Sequence, residues 1–240
     1  MRLLNFDRFY QLTFFPSWFP VNCYLVEDGE ALTLIDCGIP MSTRGIMQAA
    51  DQIGKPITRI VLTHAHSDHV GALDALKQAL KDAAVMLSER DARLLAGKTA
   101  LDPDEPQTPI RGGIPKAIQT VPDRLLQGGD KIGVLQVISC PGHTPGHIAL
   151  FDQRSGALFA GDTFQTRSGI AVSGQIRPFF PFPALATWSK APACTSARKL
   201  IKLNPHYLAV GHGNVLEHPE QAMTRALAKA EQKMGMNTHA

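Results

Sequence analysis

Arg59-Ile60-Val61-Leu62-Thr63-His64-Ala65-His66-Ser67-Asp68-His69 is the stretch that decides how this chain is read. After Arg59, the residues Ile60 to Thr63 form an apolar, β-branched run of the kind that makes a short buried strand. The rest places three imidazoles and a carboxylate within the six positions 64–69. His64 and His66 alternate on an extended segment and so face the same way, whereas Asp68 and His69 follow after the chain turns. A solvated polar loop gives no reason for such a run; a bound metal ion does. Zinc takes nitrogen and oxygen ligands in a near-tetrahedral array, and a catalytic zinc keeps one position for water, so further ligands are expected from elsewhere.

Three other strand ends offer them. His143 stands in Pro141-Gly142-His143-Thr144, past a strand ending near Ser139; Asp162 in Gly161-Asp162-Thr163, past Phe159-Ala160; His212 in Gly211-His212-Gly213, past Ala209-Val210. Singly, His143 and His212 read more readily as hydrogen-bonded structural or surface histidines, and Asp162 as readily as a turn or helix-cap aspartate. Their shared placement at strand ends makes them the candidates for the further ligands that the run calls for. Asp36, closing Leu34-Ile35-Asp36, is suited either to a turn or to holding a ligand imidazole in one tautomer. Thr163 and His147 are similar cases. His206, His218 and His239 have no convergent partners and read as surface residues.

Outward from the run, residues 21–26 and 31–36 flank the turn Glu27-Asp28-Gly29-Glu30 and predict a β-hairpin. A helix is expected from Ser42 or Thr43 through about Ile53, stopped by Gly54 and Pro56. A second is expected over Gly71 to Leu80, followed by the strand Ala84–Leu87. Gly97 to Gln119 lacks either period and reads as a long loop. Strands follow at Leu125-Leu126, Val134–Ile138, Ile148–Phe151 and Ala157–Ala160, then an irregular stretch from Gln165 to Pro183. A helix over about Leu185–Leu203, the strand Tyr207–Val210 and a helix from Pro219 complete the chain. Two β-rich halves of like element order with helices outside them predict an α/β, four-layer αββα sandwich, read as one domain over residues 1–240.

Composition excludes several classes. Apolar residues make up 44% and charged residues 19% of the 240, as in a folded protein with a sizeable core. The net charge of +3 is scattered, so no nucleic-acid partner is expected. No run approaches the roughly 18 apolar residues of a membrane span, and charges interrupt the N-terminus, so neither a membrane nor export is expected. Cys23, Cys37, Cys140 and Cys194 form no C-x-x-C pair, which fits a reducing, cytoplasmic setting without a disulfide framework. A homo-oligomer is left open. Thr13 to Pro20 (Phe14, Phe15, Trp18, Phe19), the 97–119 loop and Arg177 to Phe182 read as pocket walls for a small, partly apolar substrate, or as packing for loops or a dimer.

The run His64-x-His66-x-Asp68-His69, with His143, Asp162 and His212 in order, resembles the metallo-β-lactamase superfamily of hydrolases. Thr-His-Ala-His-x-Asp-His and Pro-Gly-His-Thr-Pro-Gly-His make the chain most similar to a group of bacterial metallo-hydrolases. The resemblance implies an αββα sandwich with a dinuclear centre: His64, His66 and His143 on one zinc, Asp68, His69 and His212 on the other, and Asp162 bridging. Seven ligands exceed what one tetrahedral ion accepts, and two ions sharing a carboxylate and a hydroxide use them all. Iron or manganese are the alternatives to zinc. The resemblance also implies that metal-held hydroxide attacks the substrate and that Asp68 is the catalytic proton acceptor or shuttle. It favours a hydrogen-bonding role for His147.

Departures narrow the reaction. Asp162 argues against the true β-lactamases, which generally lack the bridging aspartate, and for the branch of glyoxalase II, lactonases and RNA-processing nucleases. His212-Gly213-Asn214-Val215 differs from the usual His-Glu-Tyr-Thr of glyoxalase II, and Gln165 stands where many lactonases have tyrosine. The expected activity is hydrolysis of an ester, lactone or thioester of a small molecule. The alternatives are a phosphodiesterase or nuclease, which needs clustered cations, and an iron-binding redox or non-catalytic member.

Overall fold

The hairpin expected over residues 21–36 lies in the middle of a longer antiparallel meander of β1 (Arg2–Asn5), β2 (Phe9–Phe14), β3 (Val21–Asp28) and β4 (Ala31–Ile35). The computed structural model describes residues 1–235, so His239 lies outside the described residues. The backbone gathers into two compact units. The first holds Met1–Thr99 and Gly113–Gln127, the second Ala100–Gly112 and the chain from Gly128 onward.

In the first unit the meander switches after β4 to parallel pairing with β5 (Ile57–Val61), β6 (Ala84–Ser88) and β7 (Arg124–Leu126), giving a seven-stranded sheet in sequence order. Parallel neighbours require crossovers. These contain α1 (Thr43–Ile53), the pair α2 (Ser67–Val70) and α3 (Leu73–Ala79), and α4 (Glu89–Leu95). α1 buries Ile46, Ala49 and Ala50 and ends on Gly54 at φ +78°, the left-handed cap that glycine adopts at least cost. The helix expected over Gly71–Leu80 starts earlier and is interrupted, because the Gly71 amide donates to Gly38 O (2.7 Å). α4 was not expected. Ser88 caps it, accepting from the Asp91 amide (3.2 Å). Leu125-Leu126, read with the strands of the second half, instead pairs Leu125 with Leu87 of β6.

The second unit carries β8 (Lys131–Ile132), β9 (Leu135–Ser139), β10 (Ile148–Asp152) and β11 (Ala157–Phe159), then the small hairpin β12 (Phe164–Gln165) and β13 (Ala171–Val172). α5 (Phe182–Leu185), α6 (Lys190–Ile201), β14 (Tyr207–Ala209), β15 (Leu216–Glu217) and α7 (Glu220–Lys233) follow. The sheet order is β15-β14-β11-β10-β9-β8, with only β11 and β14 parallel. Ile138, Leu158, Phe164, Leu200, Leu208 and Met223 share one buried cluster that joins α6 and α7 to this sheet. Each such side chain contributes about 1.5–3 kcal/mol relative to exposure.

Every ligand-type residue singled out from the sequence follows a strand: Asp36 after β4, the run from His64 after β5, His143 after β9, Asp162 after β11 and His212 after β14. Strand ends are where the backbone leaves its ladder and side chains converge without competing for sheet pairing. No helix among the described residues is long and apolar enough to cross a membrane.

Candidate metal centre

In the first unit, Asp36 adopts a left-handed conformation (φ +60°) directly after β4. Its Oδ1 accepts the Thr63 amide (2.7 Å), and its Oδ2 accepts both the Thr63 hydroxyl (2.8 Å) and His69 Nδ1 (2.7 Å). Having given its proton to Asp36, Thr63 Oγ1 is left to accept from His64 Nδ1 (3.0 Å). One buried carboxylate thus fixes two imidazoles, His69 directly and His64 through Thr63. With the proton on Nδ1, each ring presents the lone pair of Nε2. His64 Nε2 lies 3.1 Å from His66 Nδ1, and the His64 and His69 ring centroids are 4.1 Å apart. All three histidines are buried.

The loop carrying these groups is held from behind. The Ala65 amide donates to Asp91 Oδ2 (2.9 Å), from α4. The His69 and Val70 amides return to His66 O (2.9 and 3.1 Å), and the Ser67 amide donates to Gly113 O (2.7 Å). Asp68, in the first turn of α2, is partly exposed.

The second unit assembles three residues from three strand ends. His143 Nδ1 stands 3.3 Å from both Thr187 Oγ1 and Ser173 Oγ. Thr187 donates its own proton to Pro183 O (2.7 Å) and Ser173 donates to Asp162 O. Both hydroxyls therefore accept from His143, whose Nε2 is left with its lone pair 3.4 Å from Asp162 Oδ2. His212 Nε2 is 3.2 Å from the same oxygen, and its ring packs on Phe180 at 5.5 Å. Glycines permit this approach. A Cβ on Gly142 (φ +145°) would lie 2.4 Å from the Ala193 backbone, and one on Gly213 (φ +112°) 2.5 Å from the Arg167 amide nitrogen.

His147 has both ring nitrogens engaged: Nε2 accepts the Asp162 amide (3.0 Å) and Nδ1 faces Thr163 Oγ1 (3.4 Å). It positions Asp162. Gln165 is buried in β12, its Nε2 donating to Gly169 O (3.4 Å). His206 and His218 are exposed, but their rings meet edge to face at 4.3 Å, a pairing that their spacing in sequence did not suggest. Of the expected wall aromatics, Phe14 is buried in β2 whereas Trp18 and Phe179 are 88% and 89% exposed.

The donor atoms fit a metal ion. With metal–ligand bonds of about 2.0–2.1 Å, two ligands of a tetrahedral zinc stand about 3.3–3.4 Å apart. The three donor pairs above, at 3.1, 3.2 and 3.4 Å, have this spacing. The donors are imidazole and carboxylate. The four cysteines are buried and free, none belongs to a cluster of ligand-type side chains among the described residues, and burial pushes the Cys140 thiol up to about 12.

The model of the metallo-beta-lactamase superfamily matches residues 16–212. The uncharacterized protein YobT of Bacillus subtilis (strain 168) is 57% identical over 96% of this chain and 99% of its own. The hydroxyacylglutathione hydrolase GloC of Haemophilus influenzae is 31% identical over 60% of this chain and 66% of its own. Among solved structures, TTHA1623 in a di-iron-bound form is similar with a TM-score of 0.66 and 29% identity, over 88% of this chain and 96% of that one. A metallo-beta-lactamase from Pontibacter korlensis gives a TM-score of 0.73 at 17% identity, over 96% and 98% of the two chains, a likeness of fold.

Proposed function

Since this chain belongs to the metallo-β-lactamase superfamily and is a metal-dependent hydrolase of that fold, we propose that it cleaves an ester, lactone or thioester of a small molecule with two zinc ions. His64, His66 and His143 would hold one ion and Asp68, His69 and His212 the other, with Asp162 shared. When bound, such ions polarise a carbonyl and lower the pKa of coordinated water to about 7. The chain's own groups do the remaining work. Asp36 and Thr63 keep the Nδ1 protons on His69 and His64, Ser173 and Thr187 do so on His143, and His147 fixes the Asp162 backbone. The Asp68 carboxylate accepts a proton and passes it to the leaving group.

The observation that carries this reading is the commitment of Nδ1 on three histidines, which leaves Nε2 lone pairs at ligand spacing. The kinship with a hydroxyacylglutathione hydrolase supports the acyl substrate. Elemental analysis of the purified protein together with a panel of acyl esters, lactones and thioesters tests it. Two equivalents of zinc and turnover within the panel are expected; a dizinc protein inert towards every compound overturns the substrate class. Asp68→Asn should lower turnover about 10²–10⁴-fold with the fold intact, and unchanged turnover refutes its role. The di-iron form of TTHA1623 favours a second reading of the metal alone, iron in place of zinc, and the same analysis decides it.

A further inference from the structure

In the first unit, α4 and the segment from Ile118 to Pro122 enclose a groove of about 500 Å³. A second hollow of about 330 Å³ shares Leu95, Ala96 and Ile118 with it and so prolongs it. Neither takes any part in the chemistry above. The lining is mostly aliphatic, and two of its side chains, Val121 and Leu125, are 77% and 50% exposed. Exposed aliphatics gathered around a concavity of this size are the usual signature of a ligand site.

Charge narrows the ligand. Lys98 lines the larger hollow and Lys116 the smaller, and both are exposed; Arg93 and Glu89 also border the larger hollow. Two exposed lysines beside an aliphatic trough suit a molecule with an apolar tail and a negative head. The wall is also held in place before any ligand arrives. Asp74 of α3 accepts the Gln119 amide (2.9 Å), the Thr120 amide (2.8 Å) and the Thr120 hydroxyl (2.6 Å). A wall already ordered reduces what a ligand loses on binding.

We propose that this groove binds an acyl chain ending in a carboxylate, independently of the hydrolytic reaction. The tail lies along Leu95, Ile118, Val121 and Leu125, and the carboxylate faces Lys98 and Lys116 at the rim.

Calorimetric titration of the full chain with dodecanoate tests it. Saturable 1:1 binding is expected, weakening about fourfold for each methylene removed on passing to decanoate and octanoate. Ala92→Trp fills the larger hollow and should weaken dodecanoate at least tenfold. Val121→Asp places a charge at an exposed position and should do the same without touching the core. Dodecyltrimethylammonium, with the same tail and the opposite charge, should bind at least tenfold more weakly than dodecanoate. Absence of saturable binding overturns the proposal. So does binding that neither substitution alters, which puts the carboxylate elsewhere, for instance on the metal ligands. Equal affinity for the cationic probe overturns the assigned head group. A dimer in solution that Val121→Asp dissociates assigns the face to a second copy instead.

Discussion

In the first unit, four ligand-type residues come from the single run His64–His69 after β5. In the second, His143, Asp162 and His212 come from the ends of β9, β11 and β14 and are separated by up to 69 positions, from 143 to 212. Their supports differ too. Asp36 alone governs two imidazoles of the first cluster, whereas two hydroxyls share His143 in the second. The first cluster is concentrated in sequence and rests on one carboxylate; the second is dispersed and has overlapping supports. Local encoding makes a site easy to recognise and leaves it dependent on a single partner.

Substitutions graded by expected effect sharpen this contrast. Asp162→Ala removes the oxygen that both His143 and His212 approach. It should cost more metal affinity than the roughly 10–100-fold of a residue behind the ligands. Metal content by elemental analysis and fold by circular dichroism check it; undiminished content shows that Asp162 is not a ligand. Asp36→Asn comes next. Asparagine tolerates φ +60°, so the turn persists while the acceptor for Thr63 and His69 loses its charge, and metal affinity should fall about 10–100-fold. Ser173→Ala leaves Thr187 to accept from His143 and also removes the donor to Asp162 O; a loss of about three- to tenfold is expected, the scale of a neutral hydrogen bond. If chelator competition gives Ser173→Ala as large a loss as Asp36→Asn, the two clusters are not differently supported.

The smallest effect on the metal belongs to a residue outside both clusters. Burial alone would raise the Asp74 carboxyl, but the Thr120 hydroxyl and the Gln119 and Thr120 amides outweigh it and hold it below the usual carboxylate range. A carboxyl depressed in the folded state stabilises above its unfolded value and loses that contribution as acid protonates it. Asp74→Ala should therefore cost about 1–2 kcal/mol at neutral pH, with the gap to the parent closing below about pH 4, and metal content unchanged. Denaturant melts at several pH values check the sign.

The sequence disclosed those parts of the molecule that local pattern encodes. The β3–β4 hairpin, α1 with its Gly54 stop and the strand before His64 follow from period and turn chemistry. β1 and β2 did not, because Phe9–Phe14 gains its strand character from pairing with β3. α4, seven residues long, is too short for a period to appear, although Ser88 three places before Asp91 is a readable start. β7 is not legible as part of the first sheet, because its pairing with β6 spans 38 positions, Leu87 to Leu125. The ligand-type residues were legible from type and spacing. Thr63, Ser173 and Thr187 were not, since a hydroxyl acquires its role only when the fold sets it beside a particular ring nitrogen.

The return of β7 to the first sheet has a consequence for how the chain is made. Residues 100–112 belong to the second unit, yet 113–127 belong to the first. A ribosome that has produced everything through α4 has not yet supplied the last strand of the first sheet, and β6 waits with an open edge until Leu126 emerges. Domains ordinarily fold in the order of their synthesis. Here the second unit begins before the first is finished, so the edge of β6 is closed only after residues 100–112 of the second unit have been made.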